Sequence, residues 1–528
     1  MKKGSLLLFL LLTMVFLKSF GQVDFSQQLR ARFGYSSDQG VFNEKIFSFL
    51  DLQRFYIDRD FHPVWDLKSS TDLIDYINDI GAQGLEPKDY HLIALLDLQR
   101  MGGIQKADFE ILLSDAFVIL ASHLISGKVN PQTIDSEWKT IRREGKPFDV
   151  LKRILEGARV KDVLDQLAPD FKTYDKLKSR LADLRLTSDR VWLTLPSGET
   201  LKPGLSDSRI VLLRNRLIES QDLDTTAFST SELYDSMLFH GVKKFQRRHG
   251  LIPDGNVGKN TVAELNISKN ERIDQLIVNL ERCRWLPETL GNHYIMVNIP
   301  AFELEVVKKG KVEMEIVTAV GKPYRKTPVF SQKLSYIVFN PYWTIPPTIL
   351  AKDMLPAQAK NPNHFKNLNI KVLNQSGSEV DASTINWVAM EGQQFPYMLR
   401  QEPGANNALG AVKFIFPNIF NVYMHDTNHR EVFIKEERAL SSGCIRLEKP
   451  LELAEYLLVN NGKLTKIQFD DIVKNKKDYS VILGEEVMVH IQYWTSFVDE
   501  TGALNFRKDV YQRDKPVLIA LKSNAPSI

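Results

Sequence analysis

From about residue 23 to 200 the apolar positions recur at helical spacing. The clearest run is Phe109, Ile111, Leu112 and Leu113, continued by Ala116, Phe117, Ile119 and Leu120; another is Val150, Leu151, Ile154 and Leu155. Side chains three and four apart share one helical face, so residues 23–200 are expected to form a helical scaffold. Gly84, Pro87 and Asn130-Pro131 separate its pieces. A smaller helical unit is expected over 205–267. Ile210, Leu212, Leu213 and Leu217 supply one face there, and Val242, Phe245 and Gln246 lead into the turns at Asp254-Gly255 and Gly258. From about 292 the period falls to two. Tyr294, Met296 and Asn298 alternate, then Leu304 and Val306, and Lys309-Gly310-Lys311 reads as a hairpin turn into Val312, Met314 and Ile316. Further strands are predicted at 335–339, 412–416 and 421–425, with a short helix at 450–458, inside a β-rich domain over 292–475. The polar, Asn- and Gln-rich stretch between Tyr342 and Pro396 breaks this rhythm and reads as an insertion of about 342–396. Insertions beside sites often serve as lids. The region 480–528 is expected to carry further strands and a polar tail. The fold class is therefore multidomain α+β.

A length of 528 residues agrees with several domains, since single cores stop growing near ~250–300 residues. A net charge of +3 gives no basic footprint, so nucleic acid is not an expected partner. Lys2 and Lys3 precede the apolar run Leu6 to Leu17, and Ser19-Phe20-Gly21 follows. This is the layout of a secretory signal over 1–21, and its apolar run is too short for a span of ~20 residues; a retained signal anchor is the alternative. No later segment reads as long and apolar enough to cross a bilayer. An exported protein of the periplasm or cell envelope is expected, with no integral membrane segment after cleavage.

Export bears on the two cysteines, Cys283 and Cys444. Exported chains commonly pair cysteines, and a Cys283–Cys444 bridge is the structural alternative. Cys283 has no motif around it and reads as a buried apolar filler. Cys444 stands within Ser441-Ser442-Gly443-Cys444-Ile445-Arg446, downstream of Tyr423-Met424-His425-Asp426-Thr427. A thiol becomes a useful nucleophile when a base or positive charge favours its thiolate, and His425 and Arg446 are candidates for those roles. Asp426 reads equally as a turn residue or an imidazole orienter. His429 reads as a solvated loop residue, and His91 and His123 as structural. No metal-ligand spacing or Gly-rich phosphate loop appears, so neither metal nor cofactor is expected. The order and local context of Cys and His do not suit a papain-like protease.

These motifs, with Gly404-Ala405-Asn406-Asn407-Ala408-Leu409-Gly410-Ala411-Val412-Lys413-Phe414, resemble the L,D-transpeptidases with a YkuD-type catalytic domain. The likeness to large three-part envelope members extends to Arg59-Asp60-Phe61-His62-Pro63-Val64-Trp65, Gly84-Leu85-Glu86-Pro87 and Phe339-Asn340-Pro341-Tyr342-Trp343-Thr344-Ile345-Pro346. The usual signature has a histidine where this chain has Ser442. The small helical unit resembles the peptidoglycan-binding domain 1 fold through Val242, Phe245, Gln246, Gly250, Leu251, Asp254, Gly255, Gly258, Thr261 and Leu265.

The resemblance implies an enzyme of cell-wall biogenesis that takes a peptidoglycan stem peptide ending in D-alanine and forms a thioester on cysteine. D-Alanine leaves, and a neighbouring stem amine resolves the thioester into a 3→3 cross-link. Peptidoglycan stems and glycan are the implied partners, and carbapenems the implied covalent inhibitors. By this reading Cys444 attacks and His425 moves the proton. Gly443 and Cys444 amides hold the oxyanion, Ser441 is a candidate to orient the imidazole, and Arg446 fixes the loop or favours the thiolate. Tyr423 and Trp343 line the groove. The alternatives are an L,D-carboxypeptidase or endopeptidase acting on the same stems, and a non-catalytic wall-binding scaffold.

Overall fold

The computed structural model describes residues 25–34, 44–102, 106–186, 192–390 and 395–523. The segment 1–21, read above as a signal, lies outside them. The first region is helical as expected, built around the helix Ala107–Ser126. Leu112, Phe117, Leu120 and Leu124 of that helix are fully buried against Leu52, Tyr56, Leu73, Ile77 and Leu95. By length and composition this helix could cross a membrane, contrary to the sequence reading, yet it is sheathed by the surrounding helices as a core element. Its carboxylates are answered internally. Asp115 accepts from His91 Nε2 at 2.9 Å, and Glu110 accepts from the Tyr56 hydroxyl at 2.8 Å, which gives His91 the structural use expected of it.

The small unit consists of the helices Arg209–Glu219, Ser236–Arg248 and Lys259–Leu265 around Ile210, Leu213, Leu217, Leu238, Val242 and Phe245. Gln246 ties its turn together by donating to Asp254 Oδ1 at 3.0 Å and accepting from Gly255 N at 2.8 Å. The helix Lys269–Arg284, opened by a Ser268/Glu271 capping box, leads into the β-rich region.

The strands, in chain order, are β1 Trp138–Lys139, β2 His293–Asn298, β3 Glu303–Lys308, β4 Lys311–Gly321, β5 Val329–Lys333, β6 Tyr336–Phe339, β7 Trp343–Thr344, β8 Ile370–Leu373, β9 Glu379–Val380, β10 Met398–Gln401, β11 Val412–Ile415, β12 Met424–His425, β13 Ala439–Ser441, β14 Ile445–Leu447, β15 Tyr479–Ile482, β16 Met488–Gln492, β17 Ser496–Val498 and β18 Leu504–Phe506. Twelve form one sheet in the order β1-β5-β16-β2-β3-β4-β14-β12-β11-β6-β15, with β13 beside β4. The predicted hairpin joins β3 to β4, and Lys309 and Gly310 both take positive φ (52° and 75°), as a two-residue primed turn demands.

Three features differ from the sequence reading. β1 comes from the helical region and pairs in parallel with β5. Tyr174, Leu177 and Leu181 join the same core as the sheet, so the scaffold's last helix is continuous with the β-rich region. The C-terminal segment is not an appendage. β16 lies inside the sheet, parallel to β2 and antiparallel to β5, because Val489 and Ile491 are fully buried and need neighbours on both sides. The chain then ends the described region in a helix, Asp514–Lys522, rather than in strands. The insertion is a folded unit with a sheet and core of its own, which the sequence reading did not draw. Its sheet β7-β10-β8-β9 extends to Gln401, beyond the expected boundary, and encloses Met354, Phe365, Val372, Trp387 and Leu399.

Candidate active site

β12 and β14 run parallel with Met424 opposite Ile445 and His425 opposite Arg446. The Ile445 amide donates to Tyr423 O at 3.1 Å, carrying the register back to Tyr423 and Cys444. Partners in a parallel ladder point to the same side, and alternate residues to opposite sides. Met424 and Ile445 therefore fill the core, both fully buried. Tyr423, His425, Cys444 and Arg446 share the other face. Alternation along two short strands thus brings together four residues singled out from the sequence.

His425 is 5% exposed, and its Nδ1 donates to the Asp426 backbone carbonyl at 2.5 Å. This fixes the tautomer that leaves Nε2 as the acceptor. The orienting group is thus that carbonyl, not Ser441. The Asp426 carboxylate points elsewhere: it accepts from Ala411 N at 2.8 Å and from Arg430 at 3.1 Å. Burial pulls the imidazole down to about 3, helped by the Arg446 and Lys413 charges and opposed by the Asp426 carbonyl.

Cys444 is partly exposed and free, and Cys283 is buried and free, so no bridge joins them. Burial pushes the Cys444 thiol up to about 11, against the pull of the Tyr423 amide, the Arg446 charge and the Tyr423 hydroxyl. The Tyr423 side chain lies against both Cys444 and the Trp343 indole, and its ring centroid lies 5.6 Å from that of His425. Trp343 stands on β7, so the inserted unit comes up to Tyr423 beside Cys444. Arg446 packs beside His425 with an Nε that meets no acceptor among the described residues. His429 is exposed and pairs with Glu431 at 3.1 Å, away from this face.

The nucleophile turn is held from three directions. Ser441 Oγ donates to Cys444 O at 2.5 Å and accepts from Gly443 N at 3.1 Å. The Gly443 amide is therefore committed within the turn. Gly443 has φ +117°, which an L side chain would strain. Thr327 Oγ1 donates to Gly443 O at 2.8 Å and accepts from Gly321 N at 2.9 Å. A Cβ on Gly321 would lie 2.1 Å from Arg325 O and 3.0 Å from Gly443 Cα, so the turn packs directly on that glycine. Tyr511 closes the frame by donating to Gly321 O at 2.6 Å. Finally, Arg325 donates to Ser442 Oγ at 2.9 Å and forms a fork with Asp353 of the inserted unit, at 2.5 and 3.1 Å. The sequence reading missed Gly321, Arg325, Thr327 and Tyr511. The dense turn Gly321-Lys322-Pro323-Tyr324-Arg325-Lys326-Thr327-Pro328 after a long strand was the available signal for the first three.

Residues 292–474 match the family model described as the L,D-transpeptidase catalytic domain (YkuD), and residues 50–181 the one described as a scaffold domain. Residues 206–265 match the model described as "Putative peptidoglycan binding domain". A curated protein of Haemophilus influenzae named "Putative L,D-transpeptidase" is 35% identical over 254 residues, 48% of this chain and 51% of that protein. The chain thus spans about half the length of this relative. Two solved structures are similar in part. One is an L,D-transpeptidase of Xylanimonas cellulosilytica (13% identity, TM-score 0.18, covering 56% of this chain and 99% of that one). The other is an L,D-transpeptidase of Stackebrandtia nassauensis (14% identity, TM-score 0.22, covering 57% and 96%). Scores this low leave the assignment with the family models.

Proposed function

We propose that this chain, whose residues 292–474 are an L,D-transpeptidase catalytic domain of the YkuD type, joins peptidoglycan stems in the cell envelope through a thioester on Cys444. The observation that carries the reading is the shared face of β12 and β14, with His425 Nδ1 fixed on a carbonyl and Nε2 left to accept a proton.

The resting pair is a neutral thiol and a neutral imidazole, so proton transfer accompanies attack. His425 Nε2 takes the Sγ proton as sulfur bonds to the carbonyl carbon at position three of the donor stem. In this reading the Cys444 amide and the Tyr423 hydroxyl supply donors to the developing charge; one such donor is typically worth ~2.7–4 kcal/mol in the transition state. The tetrahedral species collapses, the C–N bond breaks, and the imidazolium returns its proton to the departing D-alanine amine. An acceptor amine then gives its proton to His425 and attacks the thioester. The C–S bond breaks, the sulfur regains the proton, and a 3→3 amide remains. Trp343 and Tyr423 form the wall along which the donor lies, and the inserted unit covers it. The small helical unit would hold the chain to the wall.

Incubating the purified protein with defined tetrapeptide muropeptides, with and without an acceptor stem, tests this reading. Cross-linked dimer and free D-alanine are expected with acceptor present. Release of tripeptide alone in both conditions would replace transfer by hydrolysis.

A further inference from the structure

Far along the chain from the catalytic strands, a cavity of about 340 Å³ opens between the helices Lys172–Leu186, Arg209–Glu219 and Ser236–Arg248 and the hairpin β17–β18. Arg216 lines it while only 3% exposed. Its guanidinium stacks 3.6 Å over the Trp192 ring, and Nε donates to Leu265 O at 3.2 Å. Nη1 meets no acceptor among the described residues. The other arginines of this wall are answered: Arg248 by Asp222 at 2.6 Å, Arg272 by Glu264 at 2.6 Å and Arg180 by Asp183 at 3.0 Å. Arg216 forms no ion pair among the described residues, although Glu219 lines the same cavity. Burial, with Arg272 and Arg248 nearby, draws it down to about 10 against the opposing charges of Asp222 and Glu219, so it stays cationic at neutral pH.

A buried guanidinium that feels carboxylates such as Asp222 and Glu219 without forming an ion pair among the described residues is costly, and a fold that keeps one facing a chamber leaves a place for an anion. Stacking on an indole uses the face of the guanidinium and leaves its edge donors free for a planar acceptor. Beside it Leu504 and Phe506 give an apolar wall, and the exposed Lys244 stands at the rim. We propose that this cavity binds a peptide carboxylate flanked by a small apolar side chain, with Arg216 as the buried clamp. The carboxylate follows from the site itself. Identifying the peptide as a D-alanine-terminated stem rests on the function proposed above.

The test uses the full chain carrying Cys444→Ala and fluorotryptophan, with the fluorine NMR signal of Trp192 assigned through Trp192→Phe. The probes are the stem tetrapeptide with a free C-terminal carboxylate, its carboxamide, and inorganic phosphate. The free acid should shift the Trp192 signal saturably, and the carboxamide should bind at least about tenfold more weakly. Arg216→Gln should cause a similar loss. Lys244→Glu, at an exposed position, should weaken binding several-fold and keeps the test sound if the buried variant fails to fold. A silent Trp192 signal, equal affinity for the free acid in Lys244→Glu, equal binding of the carboxamide, or a response to phosphate alone would overturn the proposal. Absence of turnover by the unsubstituted chain would instead count against the catalytic reading and leave this result standing.

Discussion

His425 stands opposite Arg446 across the parallel pair β12–β14, which places a guanidinium beside the imidazole proposed as the base. The same positive charge disfavours imidazolium and favours thiolate. It therefore keeps His425 ready to accept a proton while easing ionisation of Cys444.

The pH dependence of Cys444 reactivity follows. With the thiol at about 11 and the imidazole at about 3, the resting pair is neutral across the physiological range. Alkylation by iodoacetamide, which needs thiolate, should rise steadily from neutral pH to about pH 10. An inflection near ~6.5, the ordinary histidine value, is not expected. A rate that plateaus at neutral pH would reveal a thiolate–imidazolium pair instead.

Stability should carry the signature of His425. Its folded value lies below the unfolded one of ~6.5, so its contribution is complete above that pH. The contribution is lost as pH falls toward about 3. Thermal unfolding of the native chain and of His425→Gln from pH 7 to 4 should show the native chain losing more. Parallel curves would remove the burial argument.

Tyr423→Phe deletes the hydroxyl beside the sulfur, while keeping the ring beside His425. Acylation should slow about tenfold, the usual scale for a hydrogen bond to a charged group, with little change in unfolding temperature. Acylation at the native rate would reduce Tyr423 to a wall residue.

The Arg325–Asp353 fork links the nucleophile turn to the inserted unit across partly exposed side chains. Such pairs contribute ~0.2–1 kcal/mol, so Asp353→Asn should barely alter stability. It should let the inserted unit move more freely and speed alkylation of Cys444 a few-fold. Unchanged alkylation would show that this contact does not govern access.

Much of this was legible in the sequence because alternation and turn residues are local. Tyr294 to Ile316, with its Lys309-Gly310 turn, could be drawn before the structure was known, and Cys444 and His425 stood out through their motifs. The position of β16 was not legible, since its neighbours β2 and β5 lie far away along the chain. The insertion itself was legible, but its internal fold was not, because Met354, Phe365, Trp387 and Leu399 are scattered among polar residues and show no period. Asp426 was weighed as a side chain, whereas its carbonyl does the orienting, and main-chain acceptors leave no mark in residue identity. Tyr511 supports the turn from the far end of the chain through its hydroxyl, which donates to Gly321 O and accepts from Thr327 N.

The central claim is that Cys444 carries the acyl group. Incubation with a donor tetrapeptide and no acceptor, acid quenching, and intact-protein and peptide mass spectrometry would read it directly. The predicted result is a tripeptide adduct confined to the peptide containing Cys444, absent from Cys444→Ala and strongly reduced in His425→Ala. Turnover with no adduct at Cys444, or an adduct that persists in Cys444→Ala, would contradict it.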